Sequence, residues 1–200
     1  MDHGTSLRYA AAKAAILLFV VVAVISVTIA FAVWHHDDFD SRVQFRLIDE
    51  TAESFTQDDL AGSYALVFFG FTHCRGVCPT QMSKLTQVMA VLDDTGHSIG
   101  VRPVFISVDP ERDTPEKVAK YLDNFDDRFI GLTGSRSALK SAANSFETLL
   151  EEMSAENSGD DYQIPHSSVT YIVDPSGRII DYVPGTLGAE AIADKVREII

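Results

Sequence analysis

The stretch YALVFFGFTHCRGVCPTQMSKL, Tyr64 to Leu85, holds both cysteines of the chain. Ala65 to Phe69 is a short apolar run of strand formers bounded by Gly70, the pattern of a buried strand. Beyond Pro79 the apolar residues fall at Met82, Leu85, Val88, Met89 and Leu92, which is helical spacing, and Pro79 suits the first turn of that helix. Cys74 is therefore expected in the strand-to-helix loop and Cys78 at the helix N-terminus. Backbone N–H groups and the positive end of the helix dipole should favour the Cys78 thiolate, while Arg75 adds a cationic influence beside Cys74. The pattern reads as a reactive dithiol. A structural disulfide would close a loop of only a few residues and stabilise little. Two inert buried cysteines fit poorly with a glycine-bearing loop. The C-x-x-x-C spacing alone does not choose between redox and metal chemistry.

Working outward, Ala14 to Val33 is a run of 20 uncharged residues interrupted only by Ser26 and Thr28. As a helix it would extend about 30 Å, the thickness of a bilayer core. Arg8 and Lys13 precede it, and Trp34, His35, His36, Asp37 and Asp38 follow, so the positive-inside rule leaves the N-terminus in the cytoplasm. A cleaved signal peptide is the rival reading, because Ala30-Phe31-Ala32 has the small-x-small form. The run exceeds a usual signal core and favours a retained anchor. The expected organisation is a cytoplasmic N-terminus at 1–13, a transmembrane anchor at 14–34, a linker at 35–42 and one domain at 43–200. The domain would lie on the periplasmic side of the inner membrane.

The formal net charge is −13; residues 1–34 contribute +1 (Arg8 and Lys13 against Asp2), so the remainder carries −14. That balance excludes nucleic acid as a natural partner. Outside the cytoplasm nothing keeps two thiols reduced by default. A thiol reductant or a bound metal must keep the pair useful.

In chain order, Val43 to Ile48 and Ser54 to Thr56 read as a hairpin around Asp49-Glu50. Val101 to Val108 is a second buried strand, followed by DPERDTP, Asp109 to Pro115, and a helix to about Phe125. Thr114 as cap and Pro115 at the first position make a strong helix start; the charged loop follows a strand's C-terminal end, the edge where α/β folds place sites, unless Asp113 and Thr114 merely cap the helix. Phe129 to Thr133 is a third strand, Ser135 caps a helix to about Phe146, and Glu147 to Met153 alternates like a strand. Ser154 to Gln163 is a polar loop. Val169 to Val173 and Arg178 to Val183 form a hairpin across Asp174-Pro175-Ser176-Gly177, and Gly188 to Ile200 is a final helix. Strands alternating with helices, closed by a hairpin and a helix, predict an α/β thioredoxin-like three-layer sandwich with an N-terminal β-hairpin, preceded by one transmembrane helix. In that fold His166, entering the late hairpin, approaches the cysteines. Met82 and Met89 are read as core, and His35 and His36 as solvated.

The motifs Phe69 to Cys74, Val77-Cys78-Pro79, SVDPERDTP (Ser107 to Pro115), FIGLTG (Phe129 to Gly134) and His166-Ser167-Ser168 with Tyr171 to Gly177 resemble the Sco/SenC family. The resemblance spans roughly residues 43–200. It implies a membrane-anchored, thioredoxin-like copper protein with Cys74, Cys78 and His166 as ligands of a copper ion. It further implies copper delivery to, or thiol reduction of, the copper-A subunit of cytochrome c oxidase or another copper protein. Two thiolates select soft Cu(I), and an imidazole accommodates either oxidation state. Structural zinc sites want four protein ligands, and haem attachment needs C-x-x-C-H, which is absent. Two departures stand out: Arg75-Gly76 replaces the family's usual Pro-Asp, and Pro165 stands where an Asp usually precedes the histidine. Both remove a carboxylate near the expected site. A thiol–disulfide reductase is the alternative from the enzyme class, needing the dithiol but no third ligand. A peroxide-reducing enzyme has less behind it.

Overall fold

The computed structural model describes residues 18–28, 42–148 and 168–200. The chain divides into two units, Met1–Ser41 and Arg42–Ile200. In the first unit, residues 18–28 form helix α1 with exposed apolar side chains. Its two hydroxyls bond back into the helix, Ser26 Oγ donating to the Val22 carbonyl and Thr28 Oγ1 to that of Val24. Among the described residues no helix is long and apolar enough to cross a membrane. The anchor expected at 14–34 falls partly outside them.

The second unit is built on the strand of the opening stretch. β3 (Tyr64–Gly70) pairs parallel with β4 (Val101–Ser107) on one side and antiparallel with β6 (Thr170–Val173) on the other. Hydrogen bonding on both edges, with side chains buried on both faces, explains why the run is apolar without alternation. Outward from β4 lie β5 (Ile130–Thr133), β1 (Arg46–Asp49) and β2 (Ser54–Thr56), and outward from β6 lies β7 (Ile179–Val183). The sheet order is β2-β1-β5-β4-β3-β6-β7, with parallel and antiparallel pairs mixed. The expected hairpin is present, pairing Leu47 with Phe55.

Side-chain alternation along β3 separates the two helical layers. Phe68 meets Phe105 on the face that carries α2 (Val77–Asp94), α3 (Pro115–Leu122) and α5 (Ala189–Ile199). A methyl group on Gly70 would touch Cys78 Sγ and both phenyl rings, and α2 and α5 pack side by side. Phe69 points the other way, its ring 5.2 Å from that of Phe146, the cap of α4 (Arg136–Ser145). These layers are the expected thioredoxin-like α/β arrangement.

Two expectations need correction. The helix predicted to reach about Phe125 ends at Leu122. The strand predicted from Glu147 does not start there, because α4 closes with a left-handed residue, Glu147, at φ 51°. The Glu147 N–H donates to the Asn144 carbonyl and the Thr148 N–H to the Ala143 carbonyl. This is the 5→2 and 6→1 pattern of a Schellman end. The rest of that segment, 149–153, lies outside the described residues.

Candidate metal centre

Gly70 ends β3, and α2 starts at Val77, so six residues must carry the chain over the sheet edge. Cys74 closes this loop with its N–H donating to the Phe71 carbonyl, and its Sγ accepts the Cys78 N–H at 3.4 Å. Both cysteines are reduced and inward-facing, Cys74 8% exposed and Cys78 fully buried. Their acidities diverge. Burial works against ionising Cys74, yet the N–H groups of Cys78, Gly76 and Val77 and the Cys78 thiol together hold it below the usual thiol range. Burial pushes the Cys78 thiol far above that range, and the nearby Cys74 and Asp113 charges add to the rise. The expectation that the helix N-terminus favours the Cys78 thiolate is therefore reversed. The Cys78 side chain packs under Gly70 and away from water, while the N–H groups of the first turn converge on Cys74.

The loop is braced from the β4 side by Asp113, 1% exposed. Its Oδ2 accepts from the Thr72 N–H at 2.9 Å and from Ser107 Oγ at 2.6 Å, and its Oδ1 accepts from Thr72 Oγ1 at 2.6 Å. Its carbonyl accepts from Thr133 Oγ1. Thr114 caps α3 through Lys117, as expected, but Asp113 instead joins the cysteine loop to β4 and β5. Arg112 pairs with buried Asp109 and sets its guanidinium 5.7 Å from the centre of the Phe71 ring. His73, Asp109 and Asp113 bring possible ligand atoms within 4.8 Å of one another. The two carboxylates already serve Thr72, Ser107 and Arg112. The His73 side chain is 44% exposed with Nδ1 3.7 Å from Asp113 Oδ1.

His166 lies outside the described residues. From Ser168 onward the chain is described again, and β6 starts at this edge of the sheet. Thr170 pairs with Phe68, two residues before Gly70. Ser168 packs where a methyl on Gly185 would come within 2.6 Å of its Cβ and 2.0 Å of Gln81 Nε2, and Lys84 donates to the Gly185 carbonyl. Gln81 is one turn beyond Cys78 on α2 and only 4% exposed. Gln81 and Gly185 carried no signal in the sequence, because both act through packing between distant segments.

The sequence profile of SCO1/SenC matches residues 35–200. The chain belongs to the SCO1/SenC family. A SCO2-like protein of Rickettsia prowazekii is 38% identical over 150 residues, 75% of this chain and 72% of its own length. The matched part is 51% of the mitochondrial SCO2 of Saccharomyces cerevisiae, so the chain spans about half of that longer relative. The crystal structure of Arabidopsis thaliana ScoI with copper bound has 35% identity and a TM-score of 0.71, covering 79% of this chain and 97% of that one. BsSco, described as a cytochrome c oxidase assembly protein with a disulfide switch, has 28% identity and a TM-score of 0.64 over 78% of this chain and 91% of its own.

Proposed function

We propose that this SCO1/SenC protein carries a copper ion on Cys74, Cys78 and His166 for assembly of the copper-A site of cytochrome c oxidase. The observation that carries the reading is the pair of inward-facing thiols at one sheet edge, from which the β6 lead-in also departs. Two soft sulfur ligands suit Cu(I), and an imidazole extends the set to Cu(II). Cys74 is the readier ligand. Cys78 must give up its proton on loading, so uptake releases protons and strengthens as pH rises. A copper-A subunit, or another copper protein, receives the ion. Residues 14–34 act as the anchor that holds the domain on the periplasmic face of the inner membrane, and salt-washed membranes should retain the full-length chain.

The thiols act only when reduced, so the dithiol is a switch. The oxidised chain should take up no copper until a reductant opens the Cys74–Cys78 bond. Equal uptake by fully oxidised protein would sink the proposal. His166→Ala should weaken Cu(II) binding on the order of 10–100-fold and Cu(I) binding less. His73→Ala should be milder, since His73 borders the thiols without entering the ligand set. Loss of Cu(II) binding in His73→Ala, with His166→Ala unaffected, would overturn the ligand assignment.

The second reading is an extracytoplasmic thiol–disulfide reductase, favoured by the divergent thiols. Cys74 would attack a partner's disulfide as thiolate, and Cys78 would resolve the mixed disulfide. His166→Ala separates the two, because a reductase needs no third ligand and would keep its turnover.

A further inference from the structure

Residues 71–74 form a turn closed by the Cys74 N–H, which donates to the Phe71 carbonyl at 3.2 Å. That carbonyl belongs to the peptide unit joining Phe71 to Thr72. The N–H of the same unit donates to Asp113 Oδ2 at 2.9 Å. The unit is trans. Its N–H and C=O therefore point opposite ways from one rigid plane, and a group that fixes the first also aims the second. The bonds run in series: Asp113 carboxylate to Thr72 N–H, Phe71 carbonyl to Cys74 N–H, then Cys74 Sγ to the Cys78 N–H at 3.4 Å. Only Asp113 and Cys74 enter the series through side-chain atoms.

The base of the series is anchored independently of it. The Asp113 N–H donates to the Asp109 carbonyl at 2.9 Å, and the Asp113 carbonyl accepts from Thr133 Oγ1 at 2.8 Å. Thr72 Oγ1 and Ser107 Oγ each donate to the carboxylate at 2.6 Å. Among the described residues no lysine or arginine pairs with Asp113, and the exposed His73 ring stands 3.7 Å away. A buried carboxylate held by neutral donors is costly to keep. Packing alone would be served as well by an apolar side chain of similar volume. The carboxylate has a use in the series, because it draws the Thr72 N–H more strongly than a neutral oxygen and polarises the Phe71 carbonyl beyond it.

We propose that Asp113 is a positioning residue for the copper ligand Cys74, holding through the 71–72 peptide the turn that presents the Cys74 sulfur to the start of α2. Asp113 acts through that peptide and is not itself a ligand. The inference rests on the copper reading above.

The test compares Asp113→Ala, Asp113→Asn and Ser107→Ala in the full-length chain, with Cu(II) as the probe. Alanine removes the acceptor, and asparagine keeps an oxygen for the Thr72 N–H. Ser107→Ala takes one bond from the carboxylate and leaves the path to Cys74 whole. Cu(II) affinity, read by competition with a chelator, should fall on the order of 10–100-fold in Asp113→Ala and recover in part in Asp113→Asn. At full loading the sulfur-to-copper charge-transfer band of Asp113→Ala should also shift in energy. Ser107→Ala should unfold at a lower denaturant concentration than the parent, yet keep its affinity and its band. If Asp113→Ala does not fold, Thr72→Val and Thr72→Ser replace it. Valine loses the hydroxyl bond to Asp113 and should weaken Cu(II) binding; serine keeps it and should not, and equal affinities in the two would overturn the inference. A role through charge alone has the opposite sign. Burial is the main obstacle to a thiolate at Cys78 and the Asp113 charge adds to it, so both neutral variants would then bind Cu(II) more tightly, which would overturn the inference. Equal losses in alanine and asparagine would do the same. So would a loss in Ser107→Ala as large as in Asp113→Ala, since the carboxylate would then be a structural contact only. A parent chain with no sulfur-to-copper band would end the copper reading first, and this inference with it.

Discussion

On its β4 side the cysteine loop is fastened by hydrogen bonds, and on its β6 side the start of α2 is fitted by shape. Asp113 reaches across 41 residues of chain to take both the N–H and the hydroxyl of Thr72, and it binds Ser107 as well. Opposite, Gly185 lets Gln81 and Ser168 close over a position with no room for a side chain. A polar brace fixes direction, since each bond demands one donor at one angle. A shape fit fixes distance, and it tolerates chemistry as long as volume is kept. The cysteine loop has its backbone aimed by the first and its neighbouring segment held close by the second.

The largest effect should come from the polar side. Asp113→Ala would leave the Thr72 N–H and hydroxyl and the Ser107 hydroxyl without their acceptor, at a cost of about 3 kcal/mol of folding stability. Asp113→Asn keeps the volume and one acceptor oxygen and should recover part of that loss. Chemical denaturation of the two variants measures both. If asparagine costs nothing while alanine costs the full amount, the brace works by filling space, and the contrast with Gly185 disappears.

Gly185→Ala comes next. Its methyl would press on Gln81 Nε2 and on Ser168, for a cost of about 2 kcal/mol, in the range of other overpacked sites. The Gln81 tip can swing aside, but the Ser168 Cβ belongs to the segment leading from His166. Adding Gln81→Ala should therefore relieve only part of the cost, a coupling that a double-mutant cycle reads directly. Full relief would mean that the Ser168 contact carries no weight, and Gly185→Ala should then leave copper binding untouched.

The comparison also marks which features could be read from the sequence. The apolar run before Gly70 and the helical spacing after Pro79 are local, and local periodicity placed Cys74 in a loop and Cys78 at a helix start. The hairpins and the order of strands and helices followed by the same means. The acidity of the cysteines did not, because it depends on where a side chain points. Cys78 turns under Gly70 into the core, and no periodic pattern encodes that choice. Asp113 was legible only in part: its loop stood at a strand edge where sites form, or merely capped a helix, and its real partners lie 41 and 6 residues away. Glu147 continued an alternating pattern, yet the helix end forced it into a left-handed turn.

The smallest effect belongs to a third kind of fastening, far from the thiols at the C-terminal end of α2. Arg128 donates through Nε and Nη2 to Asp126 and through Nη1 and Nη2 to Asp93. Asp126 is 12% exposed at its side chain, whereas Arg128 is 34% and Asp93 47% exposed, so water and salt screen much of the network. Through Asp126, Arg128→Ala should cost about 0.5–1 kcal/mol near neutral pH, well below Asp113→Ala. The side-chain bond from Arg128 is the chief cause that holds both carboxyls below their ordinary value of 3.8. A carboxyl depressed by folding stabilises the folded chain above its unfolded value and loses that contribution as pH falls through the folded one. The gap between parent and Arg128→Ala should therefore be complete above pH 3.8 and shrink progressively below it. Urea unfolding midpoints at neutral pH and at about pH 3 would show this, with a further reduction at high salt. A gap that widens in acid would contradict the assignment, and one that matches Asp113→Ala would erase the distinction between a buried brace and an exposed one.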